Sequence, residues 1–226
     1  MEYFQIKINK HGWIYLIVIL LLTIVFYPFI PFLSIIFFII LIFTAYFFRD
    51  PDKVVPIDDN LILSPADGVI TYIGEASAPL ELDQDDIRYN KISIFLNVFD
   101  IHINRVPATG KILKCQYIKG KFYNATLDKS STDNERNIIL METKKNKIIF
   151  VQIAGLIARR IVSDLKIGQE VNQGDRYGLI KFGSRVDLYI SKKIKFHVSK
   201  GQRVIGGETI IADLNNSLNI KESKKK

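Results

Sequence analysis

One Gly-Ser pair occurs in the chain, Gly183-Ser184, in the middle of the alternating stretch Leu179–Ile190, LIKFGSRVDLYI. Glycine weakens a strand and serine adds no packing there. The pair therefore marks either a bulge or a place where the backbone itself reacts. A hydroxyl that attacked its own preceding carbonyl would need a strained backbone, and glycine at 183 tolerates conformations closed to other residues. The hydroxyl is a weak nucleophile at its free pKa, so it also needs a base, and the base needs a third group to orient it.

Two other segments offer such groups. Ser64–Gly68, SPADG, carries Asp67, and Asp100–Gly110, DIHINRVPATG, carries His102, one of three histidines. Each has a plainer reading. Asp-Gly is a hairpin-turn signal, and a lone histidine usually serves structure through its hydrogen bonds. Arg185 and Asp187 read in the same plain way, as exposed strand positions, and Lys192, Lys193 and Lys195 with His197 as a solvated basic face. Cys115 is the only cysteine, which excludes an intrachain disulfide and a cysteine-based metal site. It reads as a small buried hydrophobe, and no metal ligand set is read elsewhere.

The elements that must position these residues are short. From Val54 onward the apolar residues recur in runs such as GVITYIG, KISIFLNVF, KIIFVQIAG and VDLYI, bounded by Gly, Asp, Asn and Pro. This is the strand-and-turn pattern of a mainly β domain. Helical periodicity is scarce there, and GLIARRIVSDLKIG, residues 155–168, is the best short-helix candidate. Lys166–Asp175, KIGQEVNQGD, is echoed by Ser199–Glu208, SKGQRVIGGE, with glycines, Gln and Val in register. Units of this kind recur in lipoyl- and biotinyl-type domains. The expected fold is therefore a barrel-sandwich-hybrid-like (hammerhead) β-rich domain with few short helices.

Ahead of it lies a different kind of sequence. From Trp13 to Phe48 there is no charged residue, and as one helix this run would be roughly 54 Å long against a hydrocarbon core of ~30 Å. Pro28 and Pro31 interrupt it near the middle. The expected structure is a transmembrane helical hairpin, Trp13 to about Phe26 and about Phe32 to Phe48, within a membrane anchor over residues 1–50. Lys7, Lys10 and His11 precede it and Arg49 and Lys53 follow it. Positive charge at both ends places both in the cytoplasm. The run is too long for a signal peptide and lacks a cleavage site of small residues. With a formal net charge of +8 and a terminal KESKKK, anionic lipid head groups are the expected partner. No nucleic-acid recognition motif is present, and no nucleic-acid partner is expected.

Taken together, SPADG, FDIHINRVPATG and FGSRVD, in this order behind an apolar N-terminus, resemble the phosphatidylserine decarboxylase proenzymes of the short, membrane-anchored bacterial type. The resemblance covers about Pro51 to about Leu214. It implies a pyruvoyl enzyme made by self-cleavage, with residues 51–226 as the decarboxylase domain. Ser184 would attack the carbonyl of Gly183, and elimination and hydrolysis would then leave a β chain of residues 1–183 and an α chain of residues 184–226 that begins with a pyruvoyl group. That covalent cofactor, derived from Ser184, would form a Schiff base with the amine of phosphatidylserine and act as the electron sink for loss of CO₂, giving phosphatidylethanolamine.

The resemblance also assigns roles. His102 is the candidate proton donor in decarboxylation and, with Asp67, a candidate for self-cleavage. Asn104, Arg105 and Arg185 are candidate substrate contacts. One departure matters: longer members carry two histidines three positions apart, and the second, usually placed in the Asp-His-Ser relay, aligns with Arg105. Arginine stays protonated and cannot act as a base, so either His102 serves both steps, or Asp67 or water starts the cleavage. Arg105 would instead hold a carboxylate or the lipid phosphate. The expected partners are phosphatidylserine in the membrane and the two cleaved chains as a heterodimer, with room for a higher oligomer. The expected location is the bacterial cytoplasmic membrane, with the catalytic domain facing the cytoplasm. Two other readings stay open, a non-enzymatic membrane-tethered barrel-sandwich adaptor and a pyruvoyl decarboxylase of a related serine phospholipid. Adaptors of that kind usually carry long coiled-coil segments, and none appears here.

Overall fold

A computed structural model describes residues 7–82, 88–121, 133–144, 146–155, 160–181 and 184–215. Gly183 and the segment 156–159 lie outside the described residues. Two compact units emerge, Met1–Asp52 with Phe99–Ile101, and Lys53–Val98 with His102–Lys226.

The first unit is a pair of apolar helices, α1 (Trp13–Phe26) and α2 (Pro31–Phe47). Pro31 opens α2 at a position where its missing N–H costs nothing. At 1.5 Å per residue the two measure about 21 and 26 Å. Among the described residues no helix is long and apolar enough to cross a membrane. The helices are joined where Ser34 Oγ donates to the Thr23 carbonyl at 2.8 Å. Their ends are clamped by main-chain bonds, Asn9 N–H to the Phe48 carbonyl at 2.9 Å and Asp50 N–H to the Lys7 carbonyl at 2.7 Å. Most of their large side chains face outward, and no residue of α1 is buried. Phe99 belongs to this unit through an edge contact with Phe43 at 6.3 Å and a bond from Arg49 Nη2 to its carbonyl at 2.7 Å.

The second unit is mainly β. Its largest sheet has eight strands, in the order β12 (Arg203–Val204), β2 (Gly68–Ser77), β3 (Arg88–Leu96), β11 (Ser184–Ser191), β7 (Lys147–Ala154), β6 (Arg136–Glu142), β5 (Gly110–Ile118) and β9 (Glu170–Val171). A three-stranded sheet runs β4 (Ile103–Arg105), β10 (Arg176–Ile180), β8 (Ile161–Ser163), and β1 (Leu61–Leu63) pairs with β13 (Ile210–Asp213). Residues 161–163, within the segment expected to be helical, form β8 instead. Ile161 and Val162 are β-branched and pair in register with Ile180 and Leu179. β11 lies between β3 and β7, antiparallel to both, and is buried on both faces. Its alternation splits the core. Val186, Leu188 and Ile190 enter the larger apolar cluster, and Tyr189 the smaller one on the other face. Cys115 is half-buried against the larger cluster, where burial pushes its thiol up.

The repeat read in the sequence has a physical counterpart. In one copy Gly168 N–H and Gln169 carbonyl bond to the main chain of Ile112; in the other Gly201 N–H and Gln202 carbonyl bond to that of Ile70. The segments just before those two isoleucines are themselves alike, Pro107-Ala108-Thr109-Gly110 and Pro65-Ala66-Asp67-Gly68, a second level of duplication that the sequence reading passed over. Asp67-Gly68 is not a hairpin turn: Gly68 begins β2. A Cβ at Gly68 would sit 2.3 Å from the Phe95 carbonyl oxygen and 2.9 Å from its carbon. Gly68→Ala is therefore expected to cost about 1–3 kcal/mol through overpacking. Thermal unfolding should show this as a melting temperature lower by several degrees, whereas an unchanged melting temperature would contradict the close approach.

Candidate active site

Ser184 is the first residue of β11, opposite Leu96 on one side and Ala154 on the other. It is fully buried, and its hydroxyl has no hydrogen-bond partner among the described residues. A buried hydroxyl without a partner costs free energy, so its place at the head of a central strand has to be enforced by the strands around it. β10 leads toward it, ending at Ile180, whose N–H donates to the His102 carbonyl at 3.4 Å. His102 is itself buried. The end of β10 is thus docked on the main chain of the residue read as the proton donor.

Asp67 sits at the start of β2, two strands from β11. Val69 pairs with Phe95, and Phe95 with Arg185. Gly68, one residue earlier, is therefore level with the Leu96–Ser184 pair. Two ladder spacings make this about 10 Å. Both carboxylate oxygens are held: Lys53 Nζ lies 3.0 Å from Oδ1, and Gly206 N–H donates to Oδ2 at 3.3 Å. Neither side chain of the ion pair is more than 12% exposed. The internal duplication supplies a comparison within the same molecule, because Thr109 Oγ1 accepts from Gln173 N–H at 3.2 Å in the place where Asp67 accepts from Gly206. A hydroxyl suffices to cap that turn, so a carboxylate with a buried ammonium is more than the fold requires. Lys53→Met, which removes the ammonium from this buried ion pair, is expected to destabilise by about 3–5 kcal/mol. A melting temperature equal to that of the parent chain would contradict this.

Arg105 lies on the other side of the same turn. Its Nη1 donates to the Gly174 carbonyl at 2.9 Å, and its Cδ would lie 2.7 Å from a Cβ at Gly207, whose φ is +78°. Its own N–H donates to the Pro65 carbonyl at 2.9 Å. It also lines a cavity of about 400 Å³ together with Arg176, its cross-strand partner on β10. Asn104 is fully buried; its Oδ1 accepts from Gln152 Nε2 at 2.9 Å, while its Nδ2 has no partner among the described residues. Gln152 is opposite Val186 and Ala154 is opposite Ser184. Gln152 and Ser184 are therefore on one face of the sheet, as diagonal neighbours about 7–8 Å apart.

Arg185 and Asp187 are buried, not exposed, because β11 is central rather than an edge. They face away from Ser184 by the alternation of the strand and form an ionic cluster, with Arg185 Nε 2.9 Å from Asp187 Oδ1 and Lys91 Nζ 2.9 Å from Oδ2. Tyr189 beside them has its phenol pushed up by burial first and by the Asp187 carboxylate second. The structure therefore gathers Asp67, Arg105 and the Gly206-Gly207 turn in one place, and Ser184 and Gln152 on one sheet face, with Asn104 of β4 bonded to Gln152. It sets Arg185 apart. The sequence reading took Lys53 only as a charge flanking the apolar run and Gly206 only as part of the repeat, and it passed over Gln152. The first lies in an unremarkable charged run, and nothing in the spacing of the three reports partners 14, 139 and 48 residues away.

A chain with this site matches known proteins over most of its length. The sequence profile of the phosphatidylserine decarboxylase family matches residues 40–212. The chain is 55% identical over 207 residues to the phosphatidylserine decarboxylase proenzyme of Rickettsia akari (strain Hartford), covering 91% of this chain and 90% of that one. The same figures hold for the proenzyme of Rickettsia typhi (strain ATCC VR-144 / Wilmington). Against the proenzyme of Rickettsia africae (strain ESF-5) it is 61% identical over 169 residues, 74% of this chain and 73% of the relative.

Proposed function

Because the chain belongs to the phosphatidylserine decarboxylase family, we propose that it is a proenzyme that cuts itself between Gly183 and Ser184 and then decarboxylates phosphatidylserine. The observation that carries this reading is Ser184 itself, a buried hydroxyl without a partner among the described residues, at the head of a strand held between β3 and β7. The residues present fit a covalent carbonyl group at this position. Ser184 is buried between Leu96 and Ala154, with the polar side chain of Gln152 on the same sheet face. When formed, the pyruvoyl group supplies an electron sink for the pair released with CO₂.

The chain's own residues do the rest. His102 returns a proton to the carbon that loses CO₂; its burial and the bond from Ile180 N–H to its carbonyl support this reading. Asp67, held by Lys53 and the Gly206 amide, is the candidate base, directly or through another group, for the self-cleavage step. Arg105 and Arg176 line the cavity that would take the anionic part of the head group. Arg185 supports β11 from its far face. After cleavage, the segment that begins at Ser184 would stay paired in the central sheet through β11, so the two chains would remain one folded body. We read the two matching halves of the β unit as a barrel-sandwich arrangement.

The outward-facing apolar helices α1 and α2 are read as the membrane anchor, with the clamped, charged ends at the cytoplasmic face of the bacterial membrane. The anchor makes sense because the substrate stays in the bilayer. The test of the activity is release of labelled CO₂ from carboxyl-labelled phosphatidylserine in mixed micelles by the purified protein. Stoichiometric appearance of phosphatidylethanolamine is expected, and no release by fully cleaved protein would overturn the substrate assignment.

A further inference from the structure

β11 has two faces, and only one of them fixes its position along its neighbours. On the core face Val186 lies opposite Ile94 and Leu188 opposite Ile92, with Leu96 next along β3. Sliding β11 by two residues would put Val186 opposite Ile92 or Leu96, one branched aliphatic for another, and would keep every side chain on its own face. The main-chain ladder repeats every two residues and resists such a slide no better. The other face does resist it. Asp187 is fully buried there, with Lys91 Nζ of β3 2.9 Å from Oδ2 and Arg185 Nε 2.9 Å from Oδ1. The second contact is ionic rather than an aligned hydrogen bond; Arg185 Nη2 makes the hydrogen bond, to Oδ2 at 3.3 Å. Lys91 is held in turn between two rings, its Nζ 5.6 Å from the centroid of Tyr72 and 5.3 Å from that of Tyr189. A slide in one direction carries Asp187 about 7 Å along the strand, away from Lys91. A slide in the other puts it where Tyr189 stands between Lys91 and Ile149, a carboxylate in place of a phenol inside the smaller apolar cluster.

We propose that the Lys91–Asp187–Arg185 cluster sets the register of β11, and that Lys91 and Asp187 are positioning residues that keep position 184 opposite Leu96 and Ala154 once the bond before it is cut. The proposal rests on the self-cleavage reading above. In the uncut chain β11 is tied to the end of β10 through residues 181–183, and so short a link restrains a slide. Cutting removes that tie at the very residue that becomes the cofactor. Lys91 then belongs to one chain and Asp187 to the other, so their ion pair takes over from the lost covalent bond. A buried polar group that specifies register while adding little stability is the best-attested use of such groups.

The test replaces the cluster by apolar side chains, Lys91→Met/Arg185→Met/Asp187→Leu, in the full-length chain. Exchanging a buried ionic cluster for packed apolar groups is often neutral or stabilising, so in the uncut Ser184→Ala chain the variant should melt at or above the parent's temperature. Self-cleavage, followed by gel, should run at a parent-like rate. In the cut protein, turnover of labelled phosphatidylserine per pyruvoyl-bearing chain, counted by the mass of the fragment that begins at 184, should fall by about 10²-fold, the loss for a small misplacement at a reacting group. The fall should be in kcat, with KM little changed. Amide exchange over residues 184–191 should quicken by about tenfold on cutting in the variant and not in the parent. Should this variant not fold, Lys91→Met replaces it, which leaves Asp187 its arginine; turnover lower by about tenfold is expected, restored in Lys91→Arg. Parent-like turnover per pyruvoyl-bearing chain, or parent-like exchange, in the folded and cut variant overturns the proposal. So does a slowing of cutting as large as that of turnover, which would place the effect before the bond is broken. A parent chain that stays uncut would instead sink the self-cleavage reading, and the proposal with it.

Discussion

Ser184→Ala is expected to abolish both processing and activity, leaving a single 26.0 kDa chain that releases no CO₂ from phosphatidylserine. The loss should be complete, because the same side chain is nucleophile in the first reaction and the source of the cofactor in the second. The change should cost the fold little. The hydroxyl makes no hydrogen bond with a described residue, and removing a buried polar atom that is unpaired relieves a desolvation penalty. An uncut, inactive variant that melts at or above the temperature of the uncut parent fits the account. Residual cutting at the same bond would show that another group performs the attack.

His102→Ala carries the second largest effect. A general acid placed at the reacting carbon typically contributes 10²–10⁴-fold, and turnover by cleaved protein should fall by that much with the Michaelis constant little changed. His102 is buried and carried at the mouth of β4, with its main chain tied to the end of β10. The side chain can therefore be removed without undoing the docking, which uses only the carbonyl. Cutting of this variant answers a separate question. Normal cutting with lost turnover assigns His102 to decarboxylation alone, and failure of both assigns it to both steps. Normal cutting with parent-like turnover would remove it from the mechanism.

Much of this was legible in the sequence, and what was not has a physical reason. The alternating runs and their Gly, Asp and Pro boundaries report strands directly, since side-chain period and turn chemistry are local properties. The two apolar helices were legible in the same way, with Pro31 marking the second start. Ile161–Ser163 was not, because a short apolar run is helical or extended according to what lies beside it, and here β10 does. The exposure expected of Arg185 and Asp187 failed for a related reason: whether a strand is central or edge depends on pairing, and β11 lies between β3 and β7. Ser184, His102 and Asp67 could be proposed because their chemistry constrains residue type. Lys53 and Gln152 could not, because an ammonium or an amide becomes meaningful only through its partner. The twin segments around Asp67 and Thr109 sit between the two cases. Their likeness is visible once the hydrogen bonds to Gly206 and Gln173 have been matched.

The central claim is that this chain makes its own cofactor by breaking the bond before Ser184. Intact-mass analysis of the purified full-length protein tests it most directly. The account predicts two species, residues 1–183 and a fragment of about 5 kDa by proportion to the 26.0 kDa chain. The fragment should be lighter by about 17 Da than simple hydrolysis would give, the mass of the ammonia lost when serine becomes pyruvoyl. A single folded, lipid-bound chain of full mass, or a fragment that keeps its N-terminal serine, would contradict it.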